Sequence, residues 1–505
     1  MRRMIAVCVI AWIVVQAGGL PSATLPSTTL PATILPATAG GGGCSVLYAT
    51  DGEQMLGGNN EDYYNPLTKV WFVPGEGGSY GRVYFGFDDY HPQGGMNEQG
   101  LFFDGLGLDT TLPVPTEGKE PYAGNLADKA MAECATVECV VGLFERYYAQ
   151  EAWYWQFLFG DATGESAIVE AQAVLRQRGG YQVATNFLQS STPPERRTCW
   201  RYRTAVERLE GLEALSVEAM RDLLDAVHQN GPAHTLYSNV YDLKNRLVYI
   251  YLFHNYEDVV VLDLKEELAR GYHTYDLPSL FPPNAAAETF ASPKLMRYDA
   301  LVASRLDETL DSAILQAYAG EYAMPEGWGP PGLSMTVIPG ERSLTLHFPD
   351  YRQHELHPAS ATEFFHVALQ GSTFSIAYEA RFGLDGDRRV EYLEMFTGDE
   401  AVRLDRLGPE SFVPEVATAE PTATATPALT ETPESTAMPT ATATAVPTTT
   451  PAPTATAVEV APVPTPVPSD ARDGSSPWAW QILFVVIVGA ADAWVAIRRR
   501  RAERT

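Results

Sequence analysis

A chain of 505 residues with 45% hydrophobic content is long enough for more than one packed core. Its formal net charge of −28, from 63 acidic against 35 basic side chains, argues against a nucleic-acid partner, since phosphate binding requires clustered Lys and Arg. The Cys and His residues show no spacing that would hold zinc, and no motif calls for a metal or a cofactor.

Residues 1–17 have a basic start (Arg2, Arg3) and an apolar run from Met4 to Val15, the form of a signal peptide. Residues 18–43 repeat Thr-Leu-Pro and Ala-Thr without hydrophobic periodicity and end in Gly40-Gly41-Gly42-Gly43, which predicts a disordered leader. Next come Cys44-Ser45-Val46-Leu47-Tyr48-Ala49-Thr50-Asp51-Gly52 and Gly58-Asn59-Asn60-Glu61-Asp62. Two antiparallel strands joined at Asp51-Gly52 would bring Asp62 back beside Cys44. Cys44 is either a half-cystine at a strand start or a nucleophile. As the first residue of a mature chain it would carry its own base, a free α-amino group, and the glycines before it would let it attack the preceding carbonyl.

From there to residue 282 the chain predicts mixed α and β structure. Strand-like runs occupy residues 70–73, 82–87, 155–159, 166–169, 246–253 and 259–262. Two helices share residues 125–148 with a break near Ala135-Thr136. Another covers 198–212, and Ser216 caps a fourth that stops at Asn230-Gly231-Pro232. The motifs between them are Met96-Asn97-Glu98-Gln99-Gly100-Leu101, Asp104-Gly105-Leu106-Gly107-Leu108, the turn Asp161-Ala162-Thr163-Gly164, Ala184-Thr185-Asn186, Cys199-Trp200-Arg201-Tyr202-Arg203 and Tyr237-Ser238-Asn239-Val240. Two of Cys134, Cys139 and Cys199 could form a disulfide, and spacing leaves the pairing open. His228, His234, His254 and His273 are expected to be structural.

Residues 282–304 predict a linker. Residues 310–408 alternate as an all-β domain, with strands at 315–322, 343–348, 363–366 and 390–396, and its Tyr318-Ala319-Gly320-Glu321-Tyr322 opening resembles the lipocalin-like domain appended to secreted serine hydrolases. Residues 413–470, rich in Thr, Pro and Ala, predict an extended stalk. Residues 478–497 are long and apolar enough to span a bilayer, and the basic tail at 498–505 belongs on the cytoplasmic side.

Taken in order, the motifs of residues 44–282 resemble the N-terminal-nucleophile linear amide hydrolases: choloylglycine hydrolase, penicillin V acylase, N-acylethanolamine acid amidase and the isopenicillin-N acyltransferases. The resemblance implies an α+β fold, a four-layer αββα sandwich, here followed by the small β-domain, the stalk and the membrane helix. It implies catalytic roles for Cys44, Asp62, Asn186 and Arg201. Gly107 and the Asn186 amide would stabilise an oxyanion, and Asn59 and Asn60 would lie at the oxyanion or substrate site. The family's Gly-Arg-Asn-x-Asp pattern has Asn59 here in place of arginine, which removes a positive charge from beside the thiol. The expected protein is a cell-surface, single-pass enzyme with its catalytic domain outside the cell, cleaving a small N-acyl amide through a thioester on Cys44. The alternatives are an acyltransferase using the same acyl-enzyme and a surface binding protein with a degenerate amidase fold.

Overall fold

A computed structural model describes residues 43–414, apart from 123, 150–152, 309, 326–331, 350–351 and 398–399. The expected signal peptide, membrane span and basic tail lie outside the described residues, as do the leader up to residue 42 and the stalk from residue 415. Among the described residues no helix is long and apolar enough to cross a membrane.

The hairpin at Cys44 forms as its sequence demands. Asp51 Oδ1 accepts from the N–H groups of Glu53 (2.9 Å) and Gln54 (2.8 Å), and Gly52 turns the chain at φ +91°. Strands Ser45–Thr50 and Met55–Tyr63 then pair antiparallel from Thr50↔Met55 to Ser45↔Asn60. They stand inside a six-stranded sheet ordered Tyr181–Thr185, Ser45–Thr50, Met55–Tyr63, His234–Asp242, Leu247–Leu252, Asn255–Asp263. A second sheet has eight strands, ordered Ala173–Arg176, Ser166–Glu170, Trp153–Gly160, Phe102–Leu112, Gly94–Asn97, Arg82–Phe87, Thr68–Val73, His273–Asp276.

Three apolar layers follow from period-two alternation along these strands. Leu47, Leu56 and Val240 face Ala205, Met220, Leu223 and Leu224 of helices Trp200–Glu210 and Val217–Val227. On the far sheet Phe103, Phe159 and Val169 face Leu126, Met131, Val140 and Phe144 of helices Leu126–Glu133 and Val137–Arg146. Val46, Val83, Phe102, Leu158 and Ile250 fill the space between the sheets. The result is a helix–sheet–sheet–helix sandwich. The helix caps match the expected positions: Ser216 accepts from Ala219 N–H, and the break at 134–136 lets Cys134 and Cys139 join in a disulfide with Cα atoms 5.4 Å apart. Cys199 is free.

Two expectations after residue 282 are corrected. The stretch read as a linker is a helix, Ala285–Ala303, capped by Asn284, whose Oδ1 accepts from the Ala286 and Ala287 N–H groups at 3.0 Å each. Prolines at 282, 283 and 293 masked an alanine-rich run of high helix propensity, and Tyr298, Leu301 and Val302 pack against Phe365 and Phe374. The run 315–322 is not one strand either. Asp311 caps a helix, Ser312–Tyr318, which buries Ile314, Leu315 and Tyr318 at helical spacing before the strand Gly320–Ala323 begins. That strand opens a closed eight-stranded barrel which ends at Glu400–Leu407 and shuts through Tyr322↔Arg406. Around Phe365, Val367, Leu369 and Phe374 the barrel packs on Tyr63, Tyr64 and Leu67, directly after Asp62.

Candidate active site

The register Ser45↔Asn60 sets Cys44 opposite Glu61 and next to Asp62. The Cys44 thiol is free and buried, with Sγ 3.5 Å from Glu61 Oε1. Burial raises its pKa well above the ordinary thiol value, and the Glu61, Asp62 and Asp104 carboxylates raise it further. A hydrogen bond from the Asp62 main-chain N–H acts the other way. Asp62 lies on the opposite face of its strand from Glu61. Its Oδ1 accepts from the Thr235 hydroxyl and its Oδ2 from Gln229 Nε2 at 2.6 Å, while Arg201 Nη1 stands 3.7 Å away. Burial lifts the Asp62 carboxyl to about 7, against the pull of Thr235, Arg201 and Gln229.

Arg201, in the first turn of its helix, ties the four expected catalytic residues together. It donates through Nη1 to the carbonyls of Gly43 and Cys44 and to Ser45 Oγ (3.0 Å), and through Nη2 to Asn186 Oδ1 (3.2 Å). With the Asp62 contact, one guanidinium joins chain positions 157 residues apart. The planar fork suits arginine and would not be reproduced by lysine. Arg203, two residues on, is exposed.

Asn186 follows the strand Tyr181–Thr185, and its Nδ2 donates to the Gly107 carbonyl at 2.9 Å. The two expected oxyanion residues therefore touch, with the Asn186 amide engaged. Asn60 faces the helix layer: its Nδ2 donates to Leu224 O (2.9 Å), and its Oδ1 accepts from Ser238 Oγ (2.7 Å). Asn59 faces the other sheet, cross-strand from Asn239, and neither atom of its fully buried amide has a protein partner.

Sequence reasoning passed over Glu61 and Gln229. Glu61 was the variable position of a motif, although strand alternation alone puts it on the face shared by Cys44. Gln229 directly precedes Asn230-Gly231-Pro232, where the helix pattern stops, and its Nε2 reaches both Asp62 Oδ2 and the Gly43 carbonyl, the latter at 2.7 Å. Glu61 and Asp104 form a buried acidic pair between the sheets. Burial, with Asp62 alongside, raises Glu61 to about 8. Burial, with Glu61 alongside, raises Asp104 well above the carboxylate range. His228, His234 and His254 stack on one another, with ring centroids 4.6 Å and 5.6 Å apart, and burial takes His254 down to about 4. His273 stacks on Phe72 and meets Glu267 at 2.8 Å. Among the described residues no cluster of His, Cys, Asp and Glu is arranged to hold a metal ion.

No family model matches the chain, and no curated protein does. Solved structures do. The fold resembles that of penicillin V acylase and conjugated bile acid hydrolase. The acylase, from Agrobacterium tumefaciens, is 21% identical over 46% of this chain and 91% of its own, with a TM-score of 0.38. Two variants of the hydrolase, from Clostridium perfringens, are each 17% identical. One covers 46% of this chain and 96% of its own (TM-score 0.38), the other 48% and 99% (TM-score 0.40).

Proposed function

We propose that this chain is a cysteine amidase in which Cys44, exposed as the N-terminal residue by removal of its leader, cleaves a linear amide bond in a small N-acyl substrate. The observation that carries this reading is the Arg201 network, which joins the main chain at Cys44 to Asp62 and Asn186 around a free, buried thiol. A structural half-cystine would have a sulfur partner, and among the described residues Cys44 has none.

In the proposed reaction the sulfur attacks the substrate carbonyl and the amine leaves with a proton from the Cys44 α-ammonium. Water then hydrolyses the thioester, with the α-amino group as base. Asp62, already beside Arg201 and Gln229 at the Gly43–Cys44 junction, accepts from that amino group and fixes its direction. Asn186 and Gly107 bracket the oxyanion position, and the Asn186 amide swings from the Gly107 carbonyl to the oxyanion. A donor at that place contributes about 3–4 kcal/mol to transition-state stabilisation. Asn59, with an amide free of protein partners, contacts the substrate. The apolar segment at 478–497 anchors the enzyme in the cell membrane with the sandwich outside.

The test is to mix purified protein with a panel of N-acyl amides that includes penicillin V and a conjugated bile acid, quench in acid and measure intact mass. A mass gain equal to the acyl group, located on the Cys44 peptide and removed by hydroxylamine, is the expected result. Turnover with no acyl-Cys44, or turnover retained in Cys44→Ala, would refute the assignment.

A further inference from the structure

The α-amino group that serves as base in the mature enzyme is still an amide while the leader is attached. Removal of the leader therefore needs another base. It also needs donors for the oxyanion that forms on Gly43. Both are present around the uncut bond. The Cys44 thiol points at Glu61 Oε1, 3.5 Å away, and Glu61 Oε2 is buried without a protein partner. The Gly43 carbonyl oxygen accepts from two side chains at once, Arg201 Nη1 and Gln229 Nε2.

Gly43 itself is fitted to this arrangement. A Cβ at position 43 would stand 2.5 Å from Arg201 Nη2, 3.1 Å from Arg201 Cζ and 3.1 Å from Gln229 Nε2. The guanidinium cannot yield cheaply, because the Cys44 carbonyl, Ser45 Oγ and Asn186 Oδ1 hold it. The donor pair therefore closes over a residue without a side chain.

We propose that Glu61, Gln229 and Arg201 are the processing machinery of the precursor: Glu61 takes the thiol proton, and Gln229 and Arg201 hold the oxyanion as Cys44 cuts the Gly43–Cys44 bond. This rests on the reading of Cys44 as the N-terminal nucleophile. The sulfur–carbon bond forms at the Gly43 carbonyl as the proton passes to Glu61. The carbon–nitrogen bond then breaks, and the proton returns from Glu61 to the departing nitrogen. That leaves the leader as a thioester on Cys44 beside a free α-amino group. Water hydrolyses the thioester, which releases the leader with a Gly43 carboxylate and restores the thiol. Glu61, which burial holds at about 8, is ionised and able to accept the proton only toward alkaline pH.

The experiment follows leader removal after cell-free synthesis of the full chain, by intact mass and N-terminal sequencing, for wild type, Gly43→Ala, Gln229→Ala and Glu61→Gln from pH 6 to 9. Wild type should be cut between Gly43 and Cys44 at a rate that climbs toward pH 8. Each variant should be slowed about 10-fold or more, as losing a base or an oxyanion donor requires, and Glu61→Gln should lose the rise with pH. Gly43→Ala leaves every mature residue intact. A chain beginning Met-Cys44, from which an aminopeptidase exposes the same cysteine, supplies the mature protein as a folding control. Wild-type rates in Gln229→Ala and Glu61→Gln, or in Gly43→Ala, overturn the proposal while leaving the cysteine amidase standing. Wild type that is never cut before Cys44 overturns both.

Discussion

The closed barrel and the two-sheet sandwich of this protein are filled in opposite ways. The barrel interior is apolar and occupied: Tyr318 stacks on Phe382 at 3.9 Å, and Met335, Leu346, Leu393 and Leu404 close around them. Its buried histidines have partners: His354 and the Tyr378 hydroxyl at 2.9 Å, His366 and the Glu355 carbonyl at 2.9 Å, and His357 and the Tyr298 hydroxyl at 3.1 Å. Between the two sheets of the sandwich, apolar residues share the space with Asn59, Glu61, Asp104, Gln156 and Asn239, and each has a buried atom without a protein partner. Such atoms cost about 1–3 kcal/mol each if nothing solvates them. The proposed chemistry is set among these atoms in the sandwich, and the barrel packs against Tyr63 and Tyr64.

Substitutions in the two interiors should therefore fail differently. The largest effect is expected at the thiol: Cys44→Ala should leave the leader uncut and abolish amide turnover, with the melting temperature nearly unchanged, while Cys44→Ser should process slowly because a hydroxyl is the weaker nucleophile. In the barrel, Phe382→Ala should cost about 3–5 kcal/mol in denaturant unfolding, yet leave kcat/KM of the folded fraction within about twofold. An equal loss of activity would show that the barrel belongs to the site. Next is Asn60→Ala, which unpairs the Leu224 carbonyl and the Ser238 hydroxyl. It should destabilise by about 1–3 kcal/mol and affect turnover less than Asn186→Ala does.

The smallest effect is on stability against pH. Burial raises Glu61 to about 8, Asp62 to about 7 and Asp88 to about 7. A carboxyl raised in the folded state binds its proton more tightly there than in the unfolded chain. Its contribution is fully present below the unfolded value near 4 and is lost as pH rises through the folded value. Thermal melting should therefore fall as pH rises from 5 to 8.5. Glu61→Gln should flatten that decline; a melting temperature that rises over the window would contradict the burial of these groups.

The sandwich was legible where local rules and packing agree. Alternation gave the strands Arg82–Phe87 and Ser166–Glu170, and the side chain at Ser216 gave a helix start. The order of motifs placed Arg201 and Asn186 beside Cys44 across a wide gap in sequence. What escaped was of two kinds. Prolines hid the Ala285–Ala303 helix, whose contacts with Phe365 and Phe374 are tertiary and leave no mark on local periodicity. Gln229 escaped because it directly precedes Asn230-Gly231-Pro232, where the helix pattern stops, and only its reach to Asp62 and Gly43 gives it a role. Asn60 shows the converse: it stands in a motif, and both ends of its amide are spent holding a helix and a neighbouring strand.

The central claim is that one cysteine, made N-terminal, is the nucleophile. The direct measurement is the N-terminal residue of the active protein, read by Edman sequencing and intact mass before and after alkylation with iodoacetamide. The account predicts a chain beginning at Cys44 whose alkylation at that thiol abolishes amide turnover. An active protein that begins upstream, with Gly43 still joined to Cys44, would contradict it.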